Sequence, residues 1–219
     1  NVGAPAGSNG GLAISSAGSA VGTILSSGGN VLERGGTDVG TLISSGGVEF
    51  VSSGTALSTT ILTGGVMNVL LGSGASGAGI ASATTINNGG ILNVSSGGAA
   101  NGISILSGGL EVVLSGATTT AFVGSGGTIE LFAPGSGVNF TYASGAIALL
   151  GSGAVGSAFA ITSGLIAEAG AGASAISNTV TSGGEAVVLS GGFAGSLVAS
   201  AGGSGIVSSG GVISDVTVG

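Results

Sequence analysis

Thr41-Leu-Ile-Ser-Ser-Gly-Gly-Val-Glu-Phe-Val-Ser-Ser-Gly54 holds two short apolar runs, each closed by a Ser-Gly corner. Side chains two apart share a face of a strand, so Thr41 and Ile43 point one way and Leu42 the other. The runs are β-branched and flanked by glycines that an α-helix would not tolerate, so they read as strands. The same pattern returns in Thr84-Thr-Ile-Asn-Asn-Gly-Gly-Ile-Leu-Asn-Val-Ser-Ser-Gly-Gly98.

Working outward, Gly-Gly pairs stand at Gly10, Gly28, Gly46, Gly64, Gly89, Gly108, Gly126, Gly183 and Gly202, mostly 18 or 19 residues apart. Three residues before the pairs lies a column of Leu25, Ile43, Ile61, Ile86, Ile105, Val123, Val180 and Ala199. Steps of 19 bridge the gap after Val123 through Tyr142 and Ile161, and one more step past Ala199 lands on Val218. A second column keeps the same spacing: Val51, Val69, Val94, Val113, Leu131, Leu150, Ala169, Val188 and Val207. Two apolar segments per repeat cannot bury their faces alone, but stacked repeats place each Ile on the next and pair the backbone between rungs. The sequence therefore predicts an all-β parallel β-helix, a β-solenoid of about 11 to 12 rungs and roughly 50 to 60 Å at about 4.8 Å per rung.

One solenoid domain is expected over residues 1–219. It has an irregular N-terminal segment at 1–11, an inserted loop at about 71–80 where one step lengthens to 25, and degenerate repeats at about 132–175. The apolar stretch Gly145–Ala167 is long enough for a membrane span, but its five glycines and its place in the repeat argue for strands, so no membrane insertion of this segment is expected. Asn1-Val-Gly-Ala-Pro-Ala has no basic region followed by an apolar core, so no signal peptide is expected in it, and an exported form would be a mature or excised piece.

Composition excludes most chemistry. Among 219 residues there is no His, Cys, Trp or Lys, and Arg34 is the sole basic residue. A nucleophilic Ser needs a base, and the usual partners are missing, so no catalytic residues are assigned and no enzyme is expected. A net charge of −7 with one cation gives no surface for nucleic acid. No lysine follows any Gly-rich loop and no regular Asp marks a calcium roll, so neither a cofactor nor a metal is expected. Glu49, Glu111, Glu130, Glu168 and Glu185 could pair as glycosidase carboxylates. Glu49 with Glu111, and roughly Glu130 with Glu185, hold equivalent repeat positions, which favours solvated strand residues. Asp38 and Asp215 are far apart in rungs.

The two quoted units resemble the strand-loop-strand repeats of autotransporter passenger domains of the diffuse-adherence adhesin type, from about Leu25 to Val218. The resemblance implies an exported, extracellular or surface-displayed β-helix serving adhesion, autoaggregation or biofilm formation. It also implies that heptosyltransferases glycosylate serines of the repeat. Ser26, Ser27, Ser44, Ser45, Ser52, Ser53, Ser95, Ser96, Ser208 and Ser209 match those positions, although each also serves as a turn hydroxyl. Two other readings stand beside the adhesin. Self-association, end to end or lateral, would give a filament or matrix protein, because solenoid ends are open strand edges. The column Thr23, Thr41, Thr59, Thr84 suggests ice binding, but it shares the inward parity of the Ile column and breaks at Ile103, Ala121 and Asn178.

Overall fold

Val48–Ser52, Thr55–Leu57 and Thr60–Ile61 form one rung, three strands where two apolar segments were expected. The longer segment is folded by an extra corner at Ser58, whose φ of 56° lies in the left-handed region. Equivalent corners fall on Gly40, Ala83, Ser177 and Asp215. No single residue type marks this corner, which is why the repeat pattern alone shows two segments. The computed structural model describes residues 2–3, 10–72, 77–132 and 138–219.

Strands of successive rungs pair in parallel throughout, giving a β-solenoid with about 19 residues per turn. The first wall is an unbroken sheet of eleven strands, from Gly11–Ser15 to Ser204–Val207. The other two walls are joined by Ala99–Ile105, which pairs with both Ile80–Ser82 and Thr85–Ile86. After Val138–Tyr142 these walls continue as two separate four-stranded sheets, beginning at Val155–Ser157 and Ala160–Ile161. The stretch Gly145–Ala167 is thus built of short strands, and no helix among the described residues is long and apolar enough to cross a membrane.

Register puts side chains of one repeat position directly above each other. Leu25, Ile43, Ile61, Ile86, Ile105, Val123 and Tyr142 form one line of paired residues, and Ile161, Val180, Ala199 and Val218 form another. All are buried except two. Tyr142 is half-buried, beside the break between the sheets. Val218 is 80% exposed. Each buried Val, Ile or Leu contributes roughly 1.5–3 kcal/mol relative to an exposed one, so stability is spread along the ladder. The second column, Val51 to Val207, is one continuous line in the first wall. Most of it is buried, but Val207 is 47% exposed near the end of the ladder.

Corner glycines answer both to the backbone and to the rung beneath. Gly126 has φ 71°, and a Cβ there would stand 2.8 Å from the Ser107 hydroxyl oxygen; Gly145, with φ 80°, has the same relation to Ser125. The seryl hydroxyl of one rung occupies the space that glycine leaves in the next.

Of the N-terminal segment 1–11, residues 1 and 4–9 lie outside the described residues; Val2–Gly3 pairs with Leu25–Ser26. Residues 73–76 of the inserted loop also lie outside them, and its flanks are joined by an antiparallel bridge between Leu71 and Ala78. Within 132–175, residues 133–137 lie outside them, Val138–Tyr142 is one unbroken strand, and three-strand rungs resume at Ile147–Leu150.

Candidate functional site

Inward parity, applied strictly, carries acidic side chains into the core. Glu33 pairs with Val51 and so stands one step earlier in the second column. Glu49 lies between Val31 and Met67, and Asp38 between Ala20 and Ala56. All three carboxylates are wholly buried. One oxygen from each lies within 4.8 Å of one from each of the other two. Thr23 donates to Asp38 Oδ1 at 3.3 Å, and Thr59 approaches Glu49 Oε2 at 3.5 Å. Both oxygens of Glu33, Asp38 Oδ2 and Glu49 Oε1 have no hydrogen-bond donor. Arg34, the one basic side chain, is exposed on the outer face.

Three anions with no counter-charge in a dry interior would be prohibitively costly, and the environment favours protonation of Glu33 and Glu49. Burial pushes Glu33 up to about 7, with the neighbouring Glu49 carboxyl opposing the rise and the Asp38 charge adding to it. Glu49 is raised well above the usual range, again chiefly by burial and further by the neighbouring Glu33 carboxyl. A second buried acid lies further along. Glu111, in the column of Glu49, is raised to about 7 by burial, and the Thr119 hydroxyl, which donates to it at 2.7 Å, opposes that rise.

These positions correct the expectation that Glu49 and Glu111 are solvated. They do share a column, but it is an inner one. Glu130 aligns with Glu168 through Leu149, whereas Glu185 pairs with Ile166 two positions earlier, so Glu130 and Glu185 are not equivalent. These three are half-buried, and Glu168 is raised by partial burial and by the nearby Glu185 charge. Asp38 is buried, and Asp215 is an exposed corner with φ 55°. The signal for the cluster was present in the sequence: one repeat step back from Val51 is Glu33, and one back from Ala56 is Asp38.

Chemically, the cluster offers hard oxygen donors that could surround one cation such as calcium, whose ligands lie at about 2.3–2.6 Å. Being sealed from solvent, the same groups cannot meet a substrate, so they do not form a glycosidase pair. The Thr23, Thr41, Thr59, Thr84 column is likewise inside the core and presents nothing to ice.

The outer corners are the accessible chemistry. Ser27, Ser45, Ser96 and Ser209 are exposed, whereas Ser26, Ser44, Ser52, Ser53, Ser95 and Ser208 are half-buried. Ser44 shows why: its hydroxyl donates to the Leu25 carbonyl of the rung beneath at 3.0 Å.

The chain is similar to a hyper-glycosylated fragment of TibA. That solved structure, a TibC-catalyzed hyper-glycosylated TibA55-350 fragment, shares 27% sequence identity with it. The match covers 100% of this chain and 92% of the other, with a TM-score of 0.55. No family model matches the chain, and no curated protein matches it. The likeness to TibA extends over the whole length of this chain.

Proposed function

We propose that this chain is a non-enzymatic, surface-displayed adhesive passenger, outside the bacterial cell, whose exposed corner serines carry sugar. The observation that carries the reading is the full-length likeness to a hyper-glycosylated TibA fragment at 27% identity. The autotransporter passenger resemblance of the Thr-x-Ile-x-Ser-Gly-Gly units supports it independently. A rod of stacked rungs repeats the same corner hydroxyl at about 4.8 Å intervals, so contacts to another cell or matrix are summed over many weak, identical positions. No single outer residue is then indispensable.

The test is coexpression of the chain with a heptosyltransferase of the type that modifies such passengers, followed by intact mass and peptide mapping. Mass added in sugar-sized steps on Ser27, Ser45, Ser96 and Ser209 is expected, and glycosylated chain on beads should increase their adhesion to host cells. An unmodified chain, or beads no more adhesive than uncoated ones, would overturn the reading.

Lateral self-association is a second reading with its own support. Val155, Ile176, Phe193 and Val212 are large apolar side chains exposed on one wall of the later rungs. Neighbouring apolar groups of this kind mark contact surfaces. Sedimentation velocity across a concentration series tests this: association weakened by Phe193→Ser and Val212→Ser supports it, and a monomer at every concentration removes it.

A further inference from the structure

One inner column changes character part-way along the rod. Met67, Leu92, Glu111 and Ile129 are followed in register by Ala148, Ala167 and Ala186. The first wall keeps its rung spacing through this change, so the shorter side chains leave space behind them. The opposite walls are interrupted at the same level. Val138–Tyr142 shares no ladder with Val155–Ser157 or Ala160–Ile161 among the described residues, although the Gly145 amide still donates to the Gly164 carbonyl at the neighbouring corner. Together these features open a cavity of about 400 Å³ to the outside. Phe140, Tyr142, Phe159, Ala148, Ala167 and Asn178 are among its lining residues.

The lining is specific in kind. Tyr142 stands between two phenylalanines, 6.1 Å from the Phe140 ring and 6.0 Å edge-on to Phe159, so the three rings span the interruption. Asn178 is buried, and its Oδ1 accepts the Phe159 amide at 2.9 Å, leaving the amide nitrogen as the donor end of the side chain. No basic residue lines the cavity and the half-buried Glu168 carboxyl does, so an anion would find no counter-charge there. Apolar walls hold water poorly, and the volume falls in the range of small-molecule sites.

We propose that this opening is a binding site for a small, uncharged aromatic molecule, packed against the Phe140, Tyr142 and Phe159 rings with a hydrogen-bond acceptor toward Asn178. Ring–ring contact supplies the fit, and the alanines set the depth. The site is independent of the glycosylated corners and of any adhesive contact.

The chain provides its own reporter, because Tyr142 is its one tyrosine and there is no tryptophan. Titrating the whole chain with neutral N-phenyl-1-naphthylamine should quench tyrosine emission saturably, with one equivalent bound. Ala167→Leu, which returns the side chain of Leu92 to this column, should weaken the probe by about tenfold or more. Phe140→Leu keeps the apolar lining while removing one ring, and should weaken it also; this variant serves if Ala167→Leu fails to fold. Three results would overturn the proposal: no saturable quenching, unchanged affinity in the folded variants, or equal affinity for the anionic 1-anilinonaphthalene-8-sulfonate.

Discussion

Thr119 donates a 2.7 Å hydrogen bond to Glu111 Oε1 inside the core, while Glu111 Oε2 has no partner. A carboxyl group so placed is easier to bury with its proton than without it. Its folded value of about 7 against 4.5 corresponds to about 3 kcal/mol. The sign follows from the raised value. The stability is fully present below pH 4.5 and is lost as pH rises through about 7, because the unfolded chain releases this proton first. Thermal melts from pH 4 to 8 should therefore show falling stability over that window, and Glu111→Gln should flatten part of the fall. A profile that rises toward pH 7, or one that Glu111→Gln leaves unaltered, would contradict the burial of a protonated carboxyl.

Glu33 and Glu49, clustered beside Asp38, make the same argument. Glu49→Met places in that column the side chain already present one rung on at Met67. Replacing a buried carboxyl, which must keep its proton against neutral solvent, with a packed apolar group is expected to stabilise by about 1–4 kcal/mol near neutral pH. The gain should shrink at pH 4, where the unfolded chain also holds the Glu49 proton. Denaturant melts at both pH values check this, and a loss of stability at pH 8 would count against the cluster being a cost to the fold.

Ile105 is fully buried between Ile86 and Val123. Ile105→Asp would put an unpaired charge between stacked rungs and should cost several kcal/mol. Val218→Asp, in the same repeat position but 80% exposed, should cost little. Melting temperatures that fall equally for both would show that column position, not burial, sets the penalty.

The corner at Ala83 holds φ 54° on a residue with a Cβ. Left-handed backbone costs a non-glycine residue roughly 1–2 kcal/mol. Ala83→Gly removes that strain at the expense of greater unfolded-state entropy, and a net gain of about 0.5–1 kcal/mol is expected. Gly126→Ala is the converse, adding strain at φ 71° and a Cβ 2.8 Å from the Ser107 hydroxyl, and should destabilise by more than Ala83→Gly gains. Equilibrium denaturation of the two variants decides both.

The amino-acid sequence by itself determined the parallel β-solenoid, the rung length and the partners that its apolar columns take. Ile61 and Ile86 lie 25 residues apart, yet pair directly, and their shared place in the repeat already says so. This is legible because stacking repeats the same local choice, so periodicity carries the tertiary contact. Three things were decided only by the folded chain. The third strand, where a rung has one, depends on a left-handed corner that Ser58, Ala83 and Asp215 occupy as well as glycine does elsewhere, so composition does not announce it. The acids at Glu33, Asp38 and Glu49 lie up to 16 residues apart and on two walls; their charge suggests solvent, and their closeness appears only when the walls fold against each other. The cavity beside Tyr142 arises because small side chains on one wall coincide with an interruption in the others, and no column read alone contains that coincidence.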